Sequence, residues 1–138
     1  MHVHWSHFIH GADIGIRGHG STLAEAFAQA ALALTAVITD LENISPDTEI
    51  EITCQADDPE VLFVDWLNAI IYEMATRQML FSEYDVSIDQ STLHARCRGE
   101  AINVAKHQPV VEIKGATYTE LAVSHNDANW IAQTIVDV

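Results

Sequence analysis

The chain is poor in positive charge, and this shortage limits the partners that it can bind. Six Lys and Arg residues stand against 20 Asp and Glu residues, so the 138-residue chain has a formal net charge of −14. Nucleic-acid affinity rests largely on Lys and Arg side chains that release counterions, so direct, tight binding of RNA or DNA is not expected. The charge suits a cation or a basic protein partner, although solubility alone is the simpler explanation.

Long apolar runs and paired cysteines are also missing. No uninterrupted apolar run reaches the roughly 18–20 residues that a membrane-spanning helix needs. The first ten residues, MHVHWSHFIH, lack the basic start and the apolar core of a signal peptide. Cys54 and Cys97 occur in separate strand-like segments without a CxxC pairing, which favours buried reduced thiols over a disulfide. These features predict a soluble, cytoplasmic protein.

Familiar catalytic motifs are absent from the sequence. It contains no GxSxG, P-loop, dinucleotide-binding or HExxH pattern. The Gly18-His19-Gly20 segment is too short to cradle a phosphate and is predicted only to turn the chain. The motifs therefore give no evidence of catalysis, but a metal-dependent hydrolase, whose cation would activate water, and a structural or small-ligand module both stay open.

Two amphipathic helices give the strongest structural signal. The first follows an alternating strand at Ile14 and Ile16, begins with a capping box formed by Thr22 and Glu25, and continues to about Asp40. The second begins with Asp58 as N-cap and Pro59 at the first helical position, and is expected to end near Gln78.

Strand-length segments account for most of the remaining chain. The alternating stretch Thr48–Gln55 predicts a strand with Ile50, Ile52 and Cys54 facing inward. Further predicted strands are Tyr84–Ile88, Leu93–Gly99, Ala101–Ala105, Val110–Lys114, Ala116–Ser124 and Trp130–Val138. Without a repeat or a linker, residues 1–138 are expected to form one α+β domain, with two helices packed on one face of a mixed, mostly antiparallel sheet.

Histidines are frequent at the N-terminus, where they are the first candidates for metal ligands. Four of the eight are His2, His4, His7 and His10. Their spacing matches no familiar zinc pattern and no cysteine accompanies them, so a frayed, His-rich terminus is favoured. His10 is the exception, because it is close to Asp13.

Three aspartates form the second group of candidate ligands. Asp13, Asp40 and Asp137 offer carboxylate oxygens, which suit hard cations such as Ca²⁺ or Mg²⁺. Val138, the last residue, adds a terminal carboxylate. A last strand paired beside the strand that follows Asp13 would bring these anions together, which is unfavourable unless protons or a cation neutralise them. The sequence alone does not determine that pairing.

Three separated segments resemble the archease family. The stretch His10–Asp40, HGADIGIRGHGSTLAEAFAQAALALTAVITD, is similar to the family's opening His-Thr-Ala-Asp motif, glycine turn and Leu-Glu-Glu-Ala-Phe helix. Lys114–Tyr118, KGATY, resembles its Lys-Ala-x-Thr-Tyr segment, and Trp130–Val138, WIAQTIVDV, resembles its terminal strand. The departures are Gly11 for the motif Thr, Gly115 for Ala, and Thr119 where many relatives have His.

This resemblance implies an archease/SHS2-like fold and a non-enzymatic function. Archeases assist RtcB-type RNA ligases, which join RNA ends through a guanylylated histidine in tRNA splicing and RNA repair. They are described as promoting guanylylation and multiple turnover of the ligase, and some are linked to tRNA methylation as chaperone-like modulators. RNA would be reached only through the ligase.

The resemblance also implies a set of site residues. The Ca²⁺-type metal site of the family corresponds here to Asp13, Asp137 and Val138, with Mg²⁺ or Mn²⁺ as alternative cations. Asp40 and His10 are possible metal ligands or supporting residues. Lys114 occupies a position expected to matter for activation of the partner.

Overall fold

The strands of this protein form two antiparallel sheets, which enclose a core together with two long helices. The structure is a computed structural model, which describes residues 3–138. The elements in chain order are β1 (His4–His10), β2 (Asp13–Gly20), α1 (Leu23–Ile38), β3 (Thr48–Gln55), α2 (Pro59–Arg77), β4 (Met79–Asp89), β5 (Thr92–Ala101), the short α3 (Val104–His107), β6 (Gly115–Ala116), β7 (Ala122–Asn126) and β8 (Asn129–Asp137). The predicted α+β class is confirmed.

The two sheets differ in size, and α1 packs against both. The larger sheet has the order β1-β2-β8-β6, with β7 also paired to β8, and the smaller sheet has the order β3-β5-β4. Helix α1 contacts β2 in the larger sheet and β4 in the smaller one. The expectation of a single sheet is not met, because alternation within a strand does not say which sheet the strand joins. No described helix is long and apolar enough to cross a membrane.

Both predicted helix starts are confirmed. The Glu25 N–H donates to Thr22 Oγ1 at 3.1 Å, and the Thr22 N–H donates to the Glu25 carboxylate at 3.1 Å, which completes the capping box. Asp58 caps α2 by accepting a hydrogen bond from the Glu60 N–H at 2.8 Å. Helix α2 ends at Arg77 and is capped by Gln78, whose left-handed backbone has a φ of 54°. The local sequence therefore determines where these helices begin.

The predicted turn at Gly18-His19-Gly20 is wrong, because β2 continues through all three residues. Neither Gly18 nor Gly20 has a positive φ. A Cβ atom at Gly18 would overlap the Ala26 carbonyl oxygen and the Ala30 backbone nitrogen. The glycine is needed for the close approach of α1 to β2, and not for a change of chain direction.

The prediction of a frayed N-terminus is wrong for residues 4–10, which form strand β1. This strand pairs with β2 from His4 opposite His19 to His10 opposite Asp13. The His7 ring lies 2.8 Å from the Ala33 carbonyl oxygen, which ties β1 to α1. His2 lies outside the described residues. Cross-strand pairing that the local histidine pattern does not reveal therefore orders this segment.

The strands predicted at Ala101–Ala105 and Val110–Lys114 are also absent from the structure. Residues 104–107 form α3 instead, capped by Asn103, and the chain from 108 to 114 is irregular. A network around Glu100 holds this region: its Oε2 atom accepts hydrogen bonds from Lys106 Nζ at 2.7 Å and the Ser45 N–H at 3.0 Å. His107 Nε2 lies 2.8 Å from the same oxygen, and His107 Nδ1 accepts the Asn103 N–H. Side-chain hydrogen bonds here replace the expected strand pairing.

Acid unfolding tests the Glu100 network. Hydrogen bonds from Lys106, the Ser45 N–H and His107 lower the pKa of Glu100 to about 2. Because this pKa is below that of the unfolded chain, Glu100 stabilises the fold above pH 4.5, and the contribution is lost as the pH falls towards 2. We expect the free energy of unfolding to fall less steeply over this range in Glu100→Gln than in the wild type, as measured by urea unfolding. Lys106→Met removes one of these hydrogen bonds, so it should raise the pKa of Glu100 and shift the loss of stability to higher pH. Parallel pH curves for all three proteins would contradict the assignment.

Candidate functional site at one end of the larger sheet

Strands β2 and β8 bring two carboxylates from distant parts of the sequence to the same sheet end. In their antiparallel register Ile14 lies opposite Val136. Continuing this register by one residue places Asp13 opposite Asp137. Directly opposite residues on neighbouring strands have Cβ atoms roughly 4.5–5.5 Å apart and share one face of the sheet. The strand pairing on which the predicted site depends is therefore confirmed.

The two carboxylates belong to the sheet face that points away from the core. Side chains alternate along a strand, and Ile16 and Val136, both fully buried, mark the face packed under α1. Asp13 and Asp137 are on the alternate positions. Asp13 is half-buried and Asp137 is exposed, so a cation or a partner can reach both from solvent.

The neighbouring strands place two further predicted residues beside this pair. His10 of β1 lies opposite Asp13 and is exposed. On the other side, Gly115 of β6 lies opposite Asp137, and the Lys114 N–H donates to the Asp137 carbonyl oxygen at 2.8 Å. His10, Asp13 and Asp137 thus reach the same sheet end on adjacent strands, and Lys114 lies there just before β6. Val138 is half-buried against the core at this end.

Asp40 does not lie on the strands that carry His10, Asp13 and Asp137. It precedes a 3-10 turn at Leu41–Asn43, is exposed, and makes no side-chain capping hydrogen bond there. Helix α1 runs antiparallel to β2, because its first half packs on Gly18 and the later Ala33 contacts His7. This direction carries Asp40 towards the Asp13 end of the sheet.

The side chains alone provide an incomplete cation site. Within residues 3–138 no group of three or more His, Cys, Asp or Glu residues is placed to hold one metal ion. Ca²⁺ takes roughly six to eight oxygen ligands, and Mg²⁺ usually keeps several waters. Asp13 and Asp137 fit a hard cation by chemistry and position. Main-chain oxygens, water or a partner would have to supply the other ligands.

Asn68, on the polar side of α2, is a further candidate residue for which the sequence pattern gives no signal. Its Oδ1 atom accepts a hydrogen bond from the Ala116 N–H of β6 at 2.9 Å. The helical pattern predicts only that this side chain is exposed. The nearby strand edge that gives it a partner becomes visible only in the tertiary structure.

The geometry defines an α+β protein with a carboxylate pair on adjacent strands at one sheet end. The chain belongs to the archease family: the model of the "Archease protein family (MTH1598/TM1083)" matches residues 5–138. The protein archease of Pyrococcus furiosus is 36% identical over 139 residues, covering 97% of this chain and 98% of the relative. That of Sulfolobus acidocaldarius is 38% identical over 133 residues, covering 95% and 96%. The resemblance drawn from three segments is confirmed.

Solved structures confirm the fold. The solution structure of Methanobacterium thermoautotrophicum protein 1598 matches with a TM-score of 0.86 and 29% identity, covering 97% of this chain and 98% of that one. A crystal structure from Thermotoga maritima, described as an archease and possible chaperone, matches with a TM-score of 0.58 and 20% identity, covering 95% and 94%. At 20% identity this second likeness supports the fold alone.

Proposed function

We propose that this protein is a non-enzymatic activator of an RtcB-type RNA ligase in tRNA splicing and RNA repair, and that it promotes guanylylation and multiple turnover of the ligase. The observation that carries the proposal is the pairing of β2 with β8, which brings Asp13 and Asp137 together beside Lys114. Membership of the archease family supports the assignment.

A divalent cation is the second part of the proposal. The carboxylates of Asp13 and Asp137 and the main-chain oxygens of Val138 would hold it, with Asp40 and His10 in supporting positions. The family resemblance favours Ca²⁺, with Mg²⁺ or Mn²⁺ as alternatives. When bound, the ion would neutralise the adjacent carboxylates and offer a positive centre to oxygen atoms of a partner. The chain itself contributes the fixed spacing of the two strands, which keeps the carboxylates together before the ion arrives.

Charge favours docking to a basic protein surface. With a net charge of −14, the protein repels RNA but is attracted to a ligase surface that is itself built to bind RNA. We place the exposed Lys114 at the contact with the ligase. In this arrangement the protein works in the cytoplasm and reaches RNA only through its partner.

A reconstituted guanylylation assay tests the proposal. We expect the protein to co-purify with the ligase from a mixture of the two. In the presence of GTP and a divalent cation, it should raise both the guanylylated fraction of the ligase and the number of ligations per ligase molecule. The gain should decline at high salt, because screening weakens attraction between exposed charges. An unchanged guanylylated fraction would contradict the proposal.

The isolated protein provides the control for this assay. Incubated with RNA and Mg²⁺ or Mn²⁺ but without ligase, it should produce neither ligated nor hydrolysed RNA. Turnover of a substrate by the protein alone would favour a metal-dependent hydrolase instead.

A further inference from the structure

Helix α2 closes the edge of the larger sheet next to Lys114. Strand β6 has two residues and pairs with β8 on one side. On its other side the Ala116 N–H donates to Asn68 Oδ1 at 2.9 Å. An edge N–H without such an acceptor depends on water or on another chain. Here a helix side chain occupies the place of a neighbouring strand.

A second contact of the same kind occurs further along the edge. The Val123 N–H of β7 donates to Glu60 Oε2 of α2 at 3.4 Å. Glu60 precedes Asn68 by eight residues, which corresponds to roughly 12 Å along a helix. The two contacts are alike in chemistry, but only the Asn68 contact lies beside Lys114. They therefore form a matched pair for mutation.

Few hydrogen bonds fix the position of Lys114. Residues 108–114 have no regular secondary structure. Their backbone is held by the Val110 N–H on the Ile38 carbonyl oxygen at 2.9 Å and by the Lys114 N–H on the Asp137 carbonyl oxygen at 2.8 Å. The Asn68 contact, two residues after Lys114, holds the start of β6 from the opposite side. Ile113 and Ala116 pack against the core, but without the Asn68 contact the strand pairing with β8 would be the only hydrogen bonding that holds β6.

We infer that Asn68 is a positioning residue of the activating surface. It binds neither the cation nor the ligase, but holds β6 so that Lys114 stays next to the carboxylate pair. This inference rests on the proposed function, because it gives Asn68 an effect on ligase activation that passes through Lys114.

Two substitutions at Asn68 separate the hydrogen bond from side-chain size. Asn68→Leu keeps the number and branching of the non-hydrogen side-chain atoms but has no acceptor, whereas Asn68→Asp keeps the acceptor oxygen. We expect the Ala116 amide hydrogen to exchange about fivefold faster in Asn68→Leu, the factor expected for loss of one ordinary hydrogen bond. The ligase stimulation measured per folded molecule should fall in Asn68→Leu and recover in Asn68→Asp.

Two further variants distinguish positioning from general stability. Glu60→Leu removes the matched contact at β7 and should reduce the thermal midpoint without reducing stimulation. In a Lys114→Ala background, Asn68→Leu should reduce stimulation no further, because its effect passes through Lys114. The inference is overturned if Asn68→Leu alone keeps full stimulation, or if the two substitutions reduce it additively.

The same experiments distinguish failure of this inference from failure of the proposed function. If Lys114→Ala stimulates the ligase less than the wild-type protein does, but Asn68→Leu stimulates it as fully as the wild type, only the inference falls. If the wild-type protein itself fails to stimulate the ligase, the proposed function fails, and the inference falls with it. The Ala116 exchange rate would then still report whether the Asn68 contact holds the strand edge.

Discussion

The Asp13→Asn variant should be more stable than the wild type without Ca²⁺, yet should gain much less stability than the wild type when Ca²⁺ is added. In the wild type, the register of β2 and β8, continued by one residue beyond Ile14 and Val136, sets the like charges of Asp13 and Asp137 opposite each other. Such a pair costs roughly 0.2–1 kcal/mol, which neutralising one partner recovers. Conversely, a cation that binds only the folded wild-type protein stabilises it by about 2.7 kcal/mol at a hundredfold excess over its dissociation constant.

Because Asp13→Asn should weaken cation binding, we expect it to weaken activation of the ligase as well. Even removal of groups that only support a metal ligand reduces affinity roughly tenfold to hundredfold, so loss of a ligand carboxylate should cost at least as much. We expect Asp13→Asn to abolish most of the multiple-turnover stimulation while the protein remains folded. Thermal unfolding with and without Ca²⁺, followed by ligation assays under excess RNA, measures both effects.

Asp127→Asn is the matched control for this experiment. It removes the same charge in the turn between β7 and β8, which is at the opposite end of β8 from Asp137. Asp127 has a φ of 56°, a left-handed conformation that Asn tolerates well. Asp127→Asn should keep the Ca²⁺ response and the stimulation. If Asp13→Asn behaves like this control, Asp13 has no part in cation binding.

Gly18→Ala should strongly destabilise the fold, although it adds a single methyl group away from the carboxylate pair. The new Cβ would overlap backbone atoms of Ala26 and Ala30, which cannot rotate away as a side chain can. Helix α1 would have to move off β2, disturbing the fully buried Phe27 and Leu34. Overpacking of this kind costs about 3 kcal/mol, measurable by urea unfolding.

Gly115→Ala provides the comparison for Gly18→Ala. A Cβ at Gly115 would lie 3.5 Å from Asn68 Oδ1, an ordinary contact, and this glycine has no positive φ. We expect a stability change within about 0.5 kcal/mol of zero, as for most substitutions away from tightly packed positions. Equal losses in the two variants would mean that close approach of α1 to β2 is not what requires Gly18.

The candidate site shows which of its features can be predicted from sequence patterns and which cannot. Asp13 and Asp137 are identified by their chemistry and by the family resemblance, each in its own segment. The patterns do not show that these segments pair, because the two residues are separated by most of the chain. Asn68 is missed for a related reason: nothing within one turn of α2 distinguishes an exposed amide from one that binds a strand edge.

The helix starts at Thr22 and Asp58, the inward face of β3 and the excess of negative charge could all be read from the amino-acid order. These features depend on residues within about one helical turn or on simple composition, so local hydrogen bonds and side-chain alternation are sufficient. Three-dimensional packing was needed to establish that residues 4–10 form a strand, that β2 extends through Gly20, and that β8 pairs beside β2. Each of these depends on packing and hydrogen bonds between distant segments, which compete with local preference and prevail.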